Sequence, residues 1–147
     1  MRRLRFKWVI VGSIISLLTA ITVAYAFSDG TTNRAIQEGD RQLQRCKTIK
    51  PEKDKINCVA QALDKTANSI SNQKPDYRPI KRTLRNAAAK LRKTSKKTRA
   101  RKILAAAAAV LRKAWTRPAY ANKKQLAKKH FSKFAAFVNR ARSVLRS

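Results

Sequence analysis

The chain has 147 residues, in which 36 Lys and Arg outweigh seven Asp and Glu to give a formal net charge of +29. A charge this large keeps a chain soluble and draws it to polyanions while opposing compaction by self-repulsion, so it bears on partners rather than on fold. A hydrophobic content of 44% with only three glycines excludes a wholly disordered basic tail and points to folded helices.

The first seven positions carry Arg2, Arg3, Arg5 and Lys7, and an uncharged run rich in Ile, Val and Leu follows from Trp8 to Phe27. A charged segment ahead of a hydrophobic one, closed by Ala24-Tyr25-Ala26, has the form of an export signal, because a signal peptidase accepts only small side chains at the positions of Ala24 and Ala26. Cleavage after Ala26 is the first reading. The run of about 19 apolar residues also approaches the ~20 needed to cross a bilayer core, which makes an uncleaved transmembrane anchor the alternative. Basic residues crowd one flank and are missing from Ser28 to Asn33, so the N-terminus is expected to stay inside and the rest to be exported to a periplasmic, secreted or other extracytoplasmic location. Arg2-Arg3 as a twin-arginine signal is set aside, since no cofactor motif calls for export of a folded chain.

The remainder divides by charge. Residues 27–76 contain all seven acids, Asp29, Glu38, Asp40, Glu52, Asp54, Asp64 and Asp76, against nine Lys and Arg; residues 77–147 contain 23 Lys and Arg and no carboxylate. Such asymmetry separates a structural part from an anion-binding part. The organisation expected is therefore 1–26 as signal or anchor, 27–76 as a near-neutral helical hairpin, and 77–147 as a strongly basic helical region. Without acids of their own, the 23 cations are expected to face water, one another, or an anion from outside.

In the near-neutral part, Thr31 to Lys47 reads as a helix capped by Thr32 or Asn33. Pro51 suits the first position of a second helix running toward Ser71. Ile56, Val59, Ala60, Leu63, Ala67 and Ile70 repeat at three and four. Cys58 lies about 160° from Ile56 at 100° per residue, so a disulfide from Cys46 to Cys58 would hold the first helix on a different face and leave the second one sandwiched. The bond suits an exported chain and, closing a short loop, contributes ~3 kcal/mol. The C-x11-C spacing is not that of a redox pair, and His130 alone adds too few ligands for zinc.

In the basic part, Pro79 begins a helix with Ile80, Leu84, Ala87, Ala88 and Leu91 inward. Arg78, Lys81, Arg82, Arg85, Arg92 and Lys93 fall within about 120° of arc on the other side, as on a helix between a core and a polyanion. After a break at Lys93 to Lys97, Arg99 to Trp115 forms a helix with Ile103, Ala107, Val110, Leu111 and Ala114 on one side, and its five alanines at 105–109 reflect helix propensity. Thr116-Arg117-Pro118 ends it. Asn122 can cap a last helix to about Arg146, with Phe131, Phe134 and Val138 in its apolar stripe and Lys128, Lys129, Lys133, Arg140 and Arg146 opposite. Trp115, Tyr120 and the Phe residues are expected in the core, and His130 at the edge of the apolar face.

No nucleophile–base pair, paired carboxylates, Gly-rich phosphate loop or metal-ligand set occurs. The fold class expected is all-α, a helical hairpin plus about three basic amphipathic helices behind the N-terminal hydrophobic segment. The function expected is non-enzymatic and cofactor-free: binding of an anionic polymer or membrane surface, such as anionic lipid or acidic polysaccharide, with nucleic acid secondary. The candidate contacts are the six α-helical cations of 78–93 and the four of 128–140 named above. An acidic protein partner and a membrane-active cationic effector are the alternatives. In Lys and Ala richness the chain is similar to linker-histone tails, which implies affinity for polyanions, but such tails lack these apolar stripes.

Overall fold

The computed structural model describes residues 27–147. The expected signal or anchor, with Ala24 and Ala26, lies outside the described residues. Five helices and no strand occur among the described residues: α1 (Asp29–Cys46), α2 (Glu52–Asn68), α3 (Arg78–Arg92), α4 (Lys97–Ala114) and α5 (Lys124–Val144). Short 3-10 turns at Pro75–Tyr77 and Pro118–Tyr120 precede α3 and α5. None of these helices is long and apolar enough to cross a membrane.

Short links make consecutive helices neighbours, and α5 returns to α1, so the five form a closed ring. Pairs across this last seam share one register: Lys129 with Asp29, Lys133 with Asn33 and Arg140 with Asp40, each 100 residues apart. That constant offset means α1 and α5 run parallel, as the first and last members of an up-and-down ring with an odd number of helices must. α2 touches α1 and α3 and reaches inward to α4 and α5. Its buried residues, Ile56, Cys58, Val59, Ala60, Ala62, Leu63 and Ala67 among them, accordingly surround most of its circumference. It is the sandwiched helix that the cysteine spacing predicts.

The Cys46–Cys58 disulfide closes the α1–α2 end, with a Cα–Cα distance of 5.5 Å. Farther along the pair, Gly39 is a site of close approach. A Cβ there would run into the Thr66 hydroxyl and the Phe137 ring, so the missing side chain lets α1 settle between α2 and α5.

One continuous core joins the near-neutral and basic parts. Phe131, Phe134 and Phe137 on α5 are fully buried. Phe27 sits among Tyr77, Tyr120, His130 and Phe131, its ring stacked on His130 at 5.1 Å. His130 is not at the edge of the apolar face but fully buried. Its Nδ1 lies 2.6 Å from Thr32 Oγ1, which is in turn 2.8 Å from the Tyr77 hydroxyl. The Tyr77 hydroxyl donates to the Ser28 carbonyl and accepts from the Ser28 N–H, both at 3.0 Å. This chain of bonds ties the entry of α1 to α5.

Helix ends differ from expectation in small ways with local causes. α1 begins at Asp29 because Ser28, not Thr32 or Asn33, is the cap, its hydroxyl accepting from the Thr31 N–H; Thr32 is occupied by His130 and Tyr77. Pro51 is the cap residue of α2 rather than its first helical one. Lys123 stands at the cap position of α5 without a side-chain bond, and its ammonium instead meets Asp76 at 2.7 Å. Trp115 is half-buried at the rim of the core, with the Lys128 ammonium 5.4 Å from its ring centroid.

Candidate anion-binding surface

The acids of the near-neutral part are directed across the molecule. Asp64 pairs with Arg92 on α3, Asp76 with Lys123, Asp29 with Lys129 and Lys133, and Asp40 with Arg140 on α5. Among the described residues, only Glu38–Arg41 is a pair within one helix. The expectation that every cation after residue 77 lacks an internal partner is therefore corrected, because ring closure sets α1 against α5 and α2 against α3. The pairing is strong enough to hold the Asp29 carboxyl at a pKa of about 2, chiefly through its hydrogen bonds from Lys129 and Lys133.

These pairs change the standing of the ten expected contact residues. Lys81 is buried, 6% exposed, with its ammonium donating to the Ile70 carbonyl at 2.6 Å and to Asn72 Oδ1 at 2.5 Å. Burial, reinforced by Arg85, lowers its pKa. It fastens the α2–α3 link and is not part of the outer surface. Arg92, Lys129 and Arg140 are exposed and Lys133 half-buried, and each carries a carboxylate partner. Arg78, Arg82, Arg85, Lys93 and Lys128 are exposed and make no ion pair among the described residues. Of these, Arg85 donates to Asn68 Oδ1 at 3.0 Å.

α4 stands apart. Its ring neighbours α3 and α5 contain no acid, and it meets α2 only lightly. Lys97, Arg99, Arg101, Lys102, Arg112 and Lys113 make no ion pair among the described residues. The one carboxylate contact is Glu52, which accepts from the Lys97 backbone N–H, as suits the positive end of a helix.

Where α4 faces α5, this unpaired charge is gathered into a cleft. One hollow of about 280 Å³ lies among Ala105, Arg112, Asn139, Arg142, Ser143 and Arg146. A second of about 260 Å³, among Thr98, Arg101, Lys102, Ala105 and Arg142, adjoins it through the shared Ala105 and Arg142. The Nε–H groups of Arg101 and Arg142 are shielded from solvent and have no acceptor in the protein. Buried donors of this kind are costly unless an acceptor meets them. Guanidinium groups are planar forks that bind the oxygens of phosphate, sulfate or carboxylate two at a time, and they hold their charge at any physiological pH.

Arg101, Arg112 and Arg142 were absent from the contacts expected from sequence, whereas Arg146 was placed on the cationic side of the last helix though not among the ten contacts. Their one sequence signal is spacing: 101, 105 and 112 share a face of α4, and 139 and 142 or 143 share a face of α5, with 146 in the turn just past its end. The five-alanine run has a shape consequence as well. Ala107 and Ala108 point into the core, while Ala105 floors the arginine cleft and Ala106 faces the opposite flank of α4. Among the described residues, no cluster of three or more His, Cys, Asp or Glu is placed to hold a metal ion.

No protein-family model, no curated protein and no solved structure matches this chain.

Proposed function

We propose that this is a non-enzymatic helical protein that binds polyanions through α4 and its flanks, with the arginine cleft between α4 and α5 as the principal contact. The observation that carries the reading is the concentration of Arg101, Arg112, Arg142 and Arg146 at one seam in a part of the chain that has no carboxylate. The exposed cations of α3, Arg78, Arg82, Arg85 and Lys93, extend the same sign of charge around the ring. Export is proposed with it, on the charged-then-hydrophobic N-terminus and on the Cys46–Cys58 bond, which belongs to an oxidising compartment. The anions to expect are then those of an envelope or its surroundings, such as lipid head groups and acidic polysaccharides, more than nucleic acid.

The membrane-active alternative is weakened by the packing of α5. Its Phe-bearing face is fully buried, so an inserting helix would have to leave the bundle first.

The direct test is a salt titration with a duplex oligonucleotide as a polyanion of known charge density. Affinity is expected to fall linearly in log–log form, by about 0.9 in slope per phosphate contact. A flat salt response refutes the reading. Binding confined to one acidic protein, with no response to oligonucleotide or heparin, favours the alternative of a protein partner.

A further inference from the structure

The opposite flank of α4 carries a second concavity of different chemistry. A groove of about 480 Å³ runs between α3 and α4, within the size range of small-molecule sites. Its apolar lining is Ala87 from α3 and Ile103, Ala106, Ala107 and Val110 from α4, with the uncharged Thr83 and Asn86 of α3 beside them. Val110 is 47% exposed, and it is the one large hydrophobic side chain so exposed among the described residues.

The groove is polarised along its length. Lys90 near the end of α3, and Arg99 and Lys102 near the start of α4, stand at the end next to the 93–96 link. None of the three makes an ion pair among the described residues, and neither helix contains an acid. From Ile103 to Val110 the apolar floor then extends about 11 Å at 1.5 Å per residue. Cations at one end and an open hydrocarbon floor leading away from them match a molecule with an anionic head and an apolar tail.

We infer that the α3–α4 groove binds a single anionic amphiphile as a monomer, its head group at Lys90, Arg99 and Lys102 and its hydrocarbon chain over Ala106 toward Val110. A groove of about 480 Å³ has room for one hydrocarbon chain, whereas a flat face would be needed to lie on a bilayer. The alanines at 106 and 107 keep that floor open. The site is separate from the arginine cleft, although Lys102 borders both hollows, and it does not depend on polyanion binding there.

The experiment is calorimetric titration of the folded protein with inorganic phosphate and with butyl, hexyl, octyl and decyl phosphate below their micelle concentrations. Affinity is expected to rise about twofold to fourfold per added methylene and to level off once the tail outruns the floor. Ala106→Leu, at an exposed position and in a good helix former, should weaken octyl phosphate at least tenfold and leave oligonucleotide binding within twofold. Lys90→Gln with Arg99→Gln should weaken octyl phosphate by a similar factor while leaving uncharged octanol unchanged. Arg112→Gln with Arg142→Gln should do the reverse of Ala106→Leu, weakening the oligonucleotide and sparing octyl phosphate, so that failure of the groove and failure of the cleft are told apart. Affinity independent of chain length, indifference to Ala106→Leu, or binding only to vesicles of anionic phospholipid or to an acidic protein overturns the inference.

Discussion

The near-neutral hairpin α1–α2 and the basic helices α3–α5 share one core but handle charge in opposite ways. The hairpin holds the disulfide, the close contact at Gly39 and every acidic side chain except Asp76, and it sends Asp64 across to α3 and Asp29 and Asp40 across to α5. The basic part has no means of neutralising itself, so the charge that remains is decided by reach. α3 and α5 adjoin the hairpin and are partly neutralised by it, whereas α4 lies on the far side of the ring and its side-chain cations find no carboxylate. A net charge of +29 thus becomes a localised feature, because ring order sets which cations go unpartnered.

The contrast can be broken hardest at the disulfide. Reduction, or Cys46→Ala with Cys58→Ala, removes a bond between residues 12 apart in sequence and should cost ~3 kcal/mol, lowering Tm by about 10–20 °C. The hairpin should open and release its carboxylates from α3 and α5. Thermal unfolding followed by circular dichroism with and without reductant measures it, and an unchanged Tm would contradict the place given to the hairpin. Gly39→Ala should follow in size. In an exposed helix the change would stabilise, but here the new methyl meets Thr66 and Phe137, so a net loss of ~1–3 kcal/mol in urea unfolding is expected.

A third handle is pH. Burial, with Lys133 and Lys129 beside it and against the opposing influence of Asp29, holds the His130 pKa below its ordinary 6.5. The unfolded chain therefore takes up a proton that the folded chain refuses, and stability should be lost as pH falls through about 6.5 toward the lower folded value. Urea midpoints measured from pH 7.5 to 5 should decline, and His130→Gln should flatten that slope. For Asp29, whose folded pKa of about 2 is below its ordinary 3.8, the stabilising contribution is complete above about pH 4 and is lost as pH falls toward 2. The smallest effect is expected at the α1–α5 seam, where Asp40→Asn frees Arg140 from an exposed pair. It should change stability by less than ~1 kcal/mol while slightly strengthening oligonucleotide binding.

The helices were legible because their apolar residues keep a regular period: Ile80, Leu84, Ala87, Ala88 and Leu91 on α3, Phe131, Phe134 and Val138 on α5. The Cys46–Cys58 bond followed from two cysteines in a chain with an export-like N-terminus, and the sandwiched α2 from the angle between Cys58 and Ile56. What sequence did not reveal was azimuth at the margins and contact between distant segments. Lys81 sits one step from the apolar edge of α3, and only the folded Ile70–Asn72 link turns it inward. His130 looked like a margin residue because Phe27 and Tyr77, which enclose it, are far away in the chain. On α4 the expected stripe is corrected: Val110 is exposed and Ile103 only partly buried, while Leu104 and Ala108 join Ala107, Leu111 and Ala114 in the core, because alanine on nearly every side of the helix's middle leaves its azimuth to the neighbours α3 and α5. The arginine cleft needs α4 set against α5, and the cross-ring ion pairs need the ring closed, neither of which a local period encodes.

Partnered and unpartnered cations differ in what they offer a polyanion. Two multiple variants of equal charge change test it most directly, Arg101→Gln/Arg112→Gln/Arg142→Gln on the cleft and Lys129→Gln/Lys133→Gln/Arg140→Gln on the paired face, with the salt dependence of duplex oligonucleotide affinity as the readout. The cleft variant should lower the log–log slope by about 2–3, close to 0.9 per lost phosphate contact, and the paired-face variant by less than about 1. Equal loss from both would mean that net charge alone governs binding, and would contradict the account.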